Sequence, residues 1–264
     1  MKNVMKKITA CLLMAVMVLS VLGNGAEASA ASLTAKQYLS KMQSATKKLK
    51  SYEITQTSTT SYSAMGQTMT TKQTTKQTIF QNPVKVKSVS ISKVGNQSSK
   101  SVIYMKEESD GKIYMYSSTD GSEYEKTDVT DIYAAGSELN VQQYSSAKIV
   151  KKSVKVNNIN TVQIAAKVTG DDMAKMMEAL GLDEETTEAL NLDFTKFKPI
   201  KATIYVDKKT YRPVKTVLDA KDFYNSMMES MGSGSYLTYT TGKITTTYKN
   251  YNKAADFSLP ESCK

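Results

Sequence analysis

The stretch 52–126 constrains the fold most, because its composition suits β-strands almost throughout. It is rich in Thr, Ser, Val, Ile and Tyr, which fit a pleated and half-buried surface. Ala64-Met65-Gly66 separates two long Thr-rich strands, and the Asp-Gly pairs at 110–111 and 120–121 favour tight hairpin turns. The pattern therefore predicts an antiparallel meander, which continues through strands at Val84–Val94, Val102–Lys106, Ile113–Ser117 and Glu123–Thr127.

More strands are expected beyond a loop or short helix at 129–143. They are predicted at Ala147–Val156, Thr161–Val168, Ile200–Val206, Pro213–Leu218, Ser235–Thr241 and Lys243–Asn250. In Val84–Val94 the apolar alternation changes parity, and a β-bulge near Lys87-Ser88 would reconcile the two halves. The pattern predicts an α+β domain built on one large, curved antiparallel sheet of about eleven strands.

Three segments have the 3.6-residue apolar period of helices. Thr34 is expected to cap the first helix, which runs to about Lys50 and has one apolar face. That face comprises Tyr38, Met42, Ala45 and Leu49. Asp171 is expected to cap the second helix and Gly181 to end it, and a short helix at Glu184–Leu190 is predicted to follow.

The third of these helices is predicted to carry Phe223, Tyr224, Met227, Met228 and Met231 and to end before Gly232. Together the second and third helices carry six of the fifteen methionines. Methionine is flexible and polarizable, so it suits apolar surfaces that adapt to a ligand. Two interpretations stay open: the faces are ordinary core packed on the sheet, or they cover its concave side and wall an apolar cavity. The candidate ligand-binding residues are Met173, Met176, Met177, Leu180, Phe223, Met227, Met228 and Met231.

The N-terminus has the order of a secretory signal peptide. A basic head containing Lys2, Lys6 and Lys7 precedes an apolar run, Ile8–Leu22, and a small-residue string then offers a cleavage site after Ala30. We therefore expect residues 1–30 to be a signal peptide and residues 31–264 to form a single domain. The protein is expected to be secreted or associated with the envelope, outside the cytoplasmic membrane.

Two alternatives for this segment are less favoured. The apolar run is shorter than the roughly 20 residues that span a bilayer as a helix, which argues against an uncleaved anchor. Ile8-Thr9-Ala10-Cys11 resembles a lipobox, but it precedes the apolar region instead of following it. This position argues against lipidation of Cys11.

Charge and cysteine content limit which molecules the protein could bind and whether it could form a disulfide. Cleavage would remove three lysines and one glutamate, which lowers the formal net charge from +10 to +8. The lysine clusters at 47–50 and 148–155 have two interpretations. They are solvated faces of a helix and a strand, or they attract anionic lipid head groups or cell-wall polymers. No nucleic-acid recognition motif is present. Only Cys263 would remain, so no intramolecular disulfide is expected.

The residues offer little catalytic chemistry. The absence of histidine removes the commonest general base and metal ligand, and a single cysteine excludes thiolate clusters. Ser-x-x-Lys occurs at 44–47, 90–93 and 145–148, as chance predicts in this composition, and its companion motifs are absent. Adjacent acids at 171–172 and 184–185 suit helix first turns. We therefore expect that the protein is not an enzyme and that it binds no metal ion or cofactor.

Several segments together resemble the LolA-like superfamily, which includes the LppX/LprAFG-type lipoproteins. The resemblance is greatest to the DUF6612-type exported proteins of Firmicutes. It is carried by SYEITQTS at 51–58, NPVKVKSVS at 82–90, the hairpin at 101–118, the strand-turn-strand segment ATIYVDKKTYRPVKTVLD at 202–219 and FSLP at 257–260. These segments lie within 33–260.

The resemblance implies an unclosed half-barrel whose concave side is covered by helices, with lipid or another apolar ligand bound between them and no catalytic residues. The leading hypothesis is therefore a non-enzymatic binder or carrier of an apolar ligand. The alternative is an interaction or sensing module of the envelope with a filled or vestigial cavity, which would expose an apolar or basic patch. A hydrolase would need a cleft with converging carboxylates.

Overall fold

The computed structural model describes residues 33–138, 144, 146–179, 193–230 and 237–263. The side chains of 135–138, 176, 177 and 179 lie outside this description. The predicted signal peptide, residues 1–30, and the predicted short helix at Glu184–Leu190 also lie outside it.

Eleven strands form one antiparallel sheet in the order β6-β5-β4-β3-β2-β1-β11-β10-β9-β8-β7. The strands are β1 Ser51–Ala64, β2 Gln67–Gln81, β3 Val84–Val94, β4 Gln97–Glu107, β5 Ile113–Thr119, β6 Glu125–Asp128, β7 Ser146–Val156, β8 Ile159–Val168, β9 Ile200–Asp207, β10 Pro213–Asp219 and β11 Leu237–Lys249. The sheet is not closed into a barrel, since β6 and β7 are its two ends in the part of the chain that is described. The predicted α+β half-barrel is confirmed.

Four α-helices accompany the sheet in the described ranges. They are α1 Ala35–Lys47, α2 Thr130–Glu138, α3 Gly170–Ala179 and α4 Lys221–Ser230. Two short 3-10 turns lie at Phe194–Lys196 and Glu261–Cys263. The helix alternative for 129–143 is confirmed by α2.

The two halves of the chain join at the pairing of β1 with β11. Strands β1–β6 form one meander and β7–β11 a second, and Ile54 of β1 lies opposite Tyr248 of β11. A register shift near Ser61 and Tyr62 is the one irregularity in this ladder. Because directly paired antiparallel residues share a face, the ladder aligns the side chains of both meanders.

Helix α1 begins where the sequence predicts, through a capping box. The Thr34 side chain accepts a hydrogen bond from the Gln37 N–H at 3.3 Å, and the Gln37 side chain accepts one from the Thr34 N–H at 2.8 Å. The helix ends at Lys47 instead of about Lys50. Its buried stripe is also rotated from the predicted face and comprises Ala35, Leu39, Met42, Gln43 and Thr46.

Strand β3 has no bulge near Lys87-Ser88, so that prediction was wrong. Its registers with β2 and β4 are continuous. The parity change has another cause: Val86 points to the buried face, whereas Val89 and Ile91 lie on the opposite face, and Ile91 is 41% exposed. Apolar residues on the outer face broke the alternation while the backbone stayed regular.

The sequence predicts a break at Gly242, between strands at Ser235–Thr241 and Lys243–Asn250. In the structure Gly242 instead lies inside the single strand β11. The start of α4 approaches it closely, since the Ala220 N–H donates to the Gly242 carbonyl at 2.7 Å. A Cβ at this position would lie 2.8 Å from the Lys221 nitrogen. The glycine therefore provides room for a helix against the sheet.

The Gly242→Ala substitution tests this close approach, because the packing determines whether the free energy of unfolding rises or falls. If the position were open, the substitution would stabilise the protein by about 0.4–1 kcal/mol, because alanine lowers the conformational entropy of the unfolded chain. We expect instead a loss of about 1–3 kcal/mol in the free energy of unfolding, because the methyl group overlaps α4. Urea denaturation measures the change, and a gain in stability would contradict the described packing.

Candidate functional site

One face of the sheet packs against the helices and forms most of the core. We call it the covered face. Its apolar rows come from both meanders, and the core that they form includes Leu39 and Met42 of α1 and Phe223 of α4. By register and burial, the apolar residues most deeply enclosed there include Ile54, Val86, Met105, Val162, Ile164, Val168, Ala202, Ile204 and Val206.

The covered face carries no charged side chain on β1, β2, β3, β8, β9, β10 or β11 in the described ladders. In the first meander it changes from apolar residues to hydroxyl and amide groups. Thr75 of β2 lies opposite Gln56 and Ser90, and its hydroxyl is 2.7 Å from the Ser90 hydroxyl. We call these positions the hydroxyl ladder; its members are Gln56, Ser58, Gln73, Thr75, Ser90, Ser92, Ser99 and Ser101.

Helix α4 places part of the predicted apolar wall against the sheet. Phe223 is buried, and Met227 is half-buried and packs on the core, whereas Met228 is half-buried without being part of that cluster. Met231 lies outside the described residues. Phe223 and Ser226 are buried, whereas Glu229 is exposed, so one side of α4 faces the sheet and another faces solvent.

Helix α3 contributes one described member of the wall. Met173 is half-buried and packs on the core. Met176 and Met177 lie on the described backbone of α3, but their side chains lie outside the description, and Leu180 and Gly181 lie outside it altogether.

The cap of α3 is Thr169 and not Asp171. The Asp172 carboxylate accepts from the Thr169 N–H and hydroxyl, both at 2.7 Å, while the Thr169 hydroxyl accepts from the Asp172 N–H at 3.2 Å. This reciprocal pair differs from the prediction, which took Asp171, the first of the two adjacent acids, as the cap.

An aromatic cluster joins the two helices, and it was also missed. The rings of Phe197 and Phe223 are 5.3 Å apart in an edge-to-face arrangement, and Phe194 is 5.3 Å from Phe197. The 3-10 turn that carries Phe194 packs against both α3 and α4. The apolar i, i+3 spacing of Phe194 and Phe197 was the available sequence signal.

Two polar contacts fix α4 in place. The Asn225 amide spans the Tyr239 backbone: its oxygen accepts from the Tyr239 N–H at 2.6 Å and its nitrogen donates to the Tyr239 carbonyl at 3.0 Å. The buried Ser226 hydroxyl accepts from the Lys198 N–H at 2.8 Å. The helix therefore binds β11 and the segment before β9 through specific groups, besides its apolar face.

Polar atoms in the interior remain without a hydrogen-bond partner among the described residues. These include the amide oxygen of Gln77, which is 3% exposed, and the hydroxyl of Tyr144, which is 4% exposed. Burial raises the pKa of Tyr144 far above its ordinary value, so its phenol stays protonated. The interior thus holds an acceptor and a donor that a bound water or a polar group of a ligand would complete.

The described residues contain no group of three or more His, Cys, Asp or Glu side chains placed to hold a metal ion. None of their helices is long and apolar enough to cross a membrane.

Fold and site together define an open half-barrel whose covered face carries no charged side chain on seven of its eleven strands. The sequence matches a family of unknown function, DUF6612, over residues 34–264, and the chain belongs to this family. The predicted family is therefore confirmed. No curated protein matches the chain.

Three solved structures are similar over most of both chains. LprF from Mycobacterium bovis has 13% identity and a TM-score of 0.49, covering 86% of this chain and 96% of LprF. The lipoprotein LppX from Mycobacterium tuberculosis has 12% identity and a TM-score of 0.43, covering 84% and 96%. A putative outer membrane lipoprotein-sorting domain from Vibrio parahaemolyticus has 12% identity and a TM-score of 0.28, covering 86% and 94%.

Asn225→Ala should loosen α4, because the Tyr239 N–H and carbonyl both lose their partner. We expect the free energy of unfolding to fall by about 1–2 kcal/mol. Hydrogen–deuterium exchange should become faster at the amides of Lys221–Ser230. Glu229→Ala, at an exposed position of the same helix, is the control, and equal exchange in both variants would contradict the role of Asn225.

Proposed function

We propose that this protein is a non-enzymatic binder or carrier of an apolar ligand, a lipid above all, held between the covered face and helices α3 and α4. The observation that carries the proposal is the covered face, which has no charged side chain on seven of its strands and is opposed by methionine-bearing helices. Apolar surface with few polar groups is typical of sites for lipids and similar ligands. Methionine side chains adapt to chains of different shape at low cost.

The helix-side wall is proposed to comprise the eight residues predicted from the sequence. Met173, Phe223 and Met227 support it by packing on the core from two different helices. The other members are proposed by continuation of the same helix faces: Met176, Met177, Leu180, Met228 and Met231.

The polarity of the covered face further limits the ligand. A charged group enclosed there would have no counter-charge on the seven uncharged strands, and burying an unpaired charge is costly. We therefore propose that the buried part of the ligand is uncharged. Its polar atoms would hydrogen-bond to the hydroxyl ladder, to the Gln77 amide oxygen or to the Tyr144 hydroxyl.

Location and domain organisation belong to the same proposal. Residues 1–30 are proposed to be a signal peptide, and residues 31–264 to work as one domain outside the cytoplasmic membrane. Cys11 lies at the start of the apolar run, right after the basic head, and we propose that it is not lipidated.

One observation favours the alternative, an interaction or sensing module with a filled interior. Leu39, Met42, Tyr52 and Ile54 are all nearly inaccessible, so the core beneath α1 is tightly enclosed. In that alternative the working surface would be the outside of the protein.

Native mass spectrometry of residues 31–264, followed by solvent extraction, distinguishes the two functions. We expect a stoichiometric lipid adduct that Met227→Glu abolishes, because a carboxylate would enter an uncharged interior. Met65→Glu is the matched control, since Met65 is 91% exposed in the β1–β2 turn, and it should keep the adduct.

Circular dichroism of both variants establishes that they are folded before binding is compared. An adduct that survives Met227→Glu in a folded protein would contradict the proposed wall. Absence of any adduct from the unsubstituted protein, even after incubation with envelope lipids, would favour the interaction module.

A further inference from the structure

The lysines of the sheet are concentrated on the face opposite the helices, which we call the open face. Register places lysines there on nine of the eleven strands, with four acids among them: Glu53, Asp128, Asp207 and Asp219. The lysines are Lys72, Lys76, Lys85, Lys87, Lys93, Lys100, Lys106, Lys126, Lys148, Lys151, Lys167, Lys201, Lys215, Lys243 and Lys249. Most of the basic excess of the sheet therefore points in one direction.

Five of these lysines stand in one row across the sheet, at directly paired positions, and we call it the lysine row. Its members, in order from β3 to β8, are Lys93, Lys72, Lys243, Lys201 and Lys167. Thr59 and Asp219 occupy the two remaining positions of the row. Seven strands at a spacing of about 4.8 Å give the row a length of about 29 Å.

The row contains like charges where the sheet would gain from opposite ones. Lys72 lies directly opposite Lys93, and Lys167 directly opposite Lys201. Like charges in directly paired positions destabilise a sheet. Lys201 is balanced by Asp222 at 3.0 Å, whereas Lys72, Lys93 and Lys243 form no ion pair with any described carboxylate.

Lysines at the other end of the open face are already engaged by the chain itself. The C-terminal segment crosses β3–β5 there, and Phe257, Leu259 and Cys263 pack with Tyr104 and Tyr116. Within this segment Asp256 pairs with Lys85 at 2.7 Å, and the Phe257 ring lies 4.6 Å below the same ammonium group.

The contrast between the two ends is informative. The C-terminal segment neutralises Lys85 and places the Phe257 ring against Lys85 and Lys87, whereas Lys72, Lys93 and Lys243 are left exposed. Those three ammonium groups are therefore available for an external anion, which would also relieve the repulsion between Lys72 and Lys93.

We propose that the lysine row binds a linear anionic polymer with repeating phosphate groups. Ammonium groups and the Thr59 hydroxyl are suitable partners for phosphate oxygens. Adjacent strands rotate by about 20°, so the row turns through roughly 120° along its length. A flexible chain can follow this path and contact every lysine, whereas a flat lipid surface meets only part of it.

The chemistry of the row also distinguishes among polymers. Its side chains are Lys, Thr and Asp, and it has no aromatic ring on which a base could stack. The row thus suits a phosphate backbone without bases. This inference is independent of the ligand between sheet and helices.

The test compares binding of long-chain inorganic polyphosphate to the purified protein and to two triple variants. Lys72→Gln/Lys93→Gln/Lys243→Gln removes the unpaired cations of the row. Lys36→Gln/Lys48→Gln/Lys209→Gln removes the same charge from exposed positions off the sheet faces. Thermal unfolding of each variant establishes that it is folded.

We expect the row variant to weaken polyphosphate binding more than about tenfold at low salt, while the control changes it far less. The slope of log K against log salt should fall by about 2 in the row variant, since three phosphate contacts are lost at about 0.7 each. Equal weakening in both variants would overturn the proposal. So would binding to phosphatidylglycerol vesicles without binding to polyphosphate, which would assign the row to a lipid surface.

Discussion

The pairing of β1 with β11 is the interaction on which the rest of the structure depends. It joins two meanders that would otherwise be separate sheets, and it decides which residues of each share a face. Since side chains alternate with a period of two, a slip by one residue would exchange the two faces of one meander. Ile54 opposite Tyr248 buries apolar groups from both halves, and this burial selects the observed register.

Segregation of charge follows from that register and gives the sheet two different surfaces. The covered face combines apolar rows with the hydroxyl ladder and faces Met173 and Met227, while the open face carries the lysines. Water solvates the open face, so its charges cost little there, whereas the same charges beneath the helices would be unpaired and buried. An apolar ligand on one side and an anionic polymer on the other are therefore compatible in one molecule.

Much of the fold could be predicted from the sequence, because turn residues and β-propensity act locally. The strand Val84–Val94 and the Thr34 cap agree with the structure. Gly242 was misread because a glycine inside a strand looks like a break until the helix that packs on it is known. The wall could be predicted in part from the spacing of methionines, but the contacts of Asn225 with Tyr239 and of Phe197 with Phe223 could not, since these partners are distant in sequence.

A crystal structure of residues 31–264, purified under conditions that retain bound lipid, would test the central claim most directly. We expect elongated density for a ligand between the covered face and helices α3 and α4. The ligand should contact Met227, and its polar atoms should be directed at the Gln77 amide oxygen. Side chains of α3 and α4 packed against the sheet without any space between them, in a protein that had been supplied with lipid, would contradict the claim.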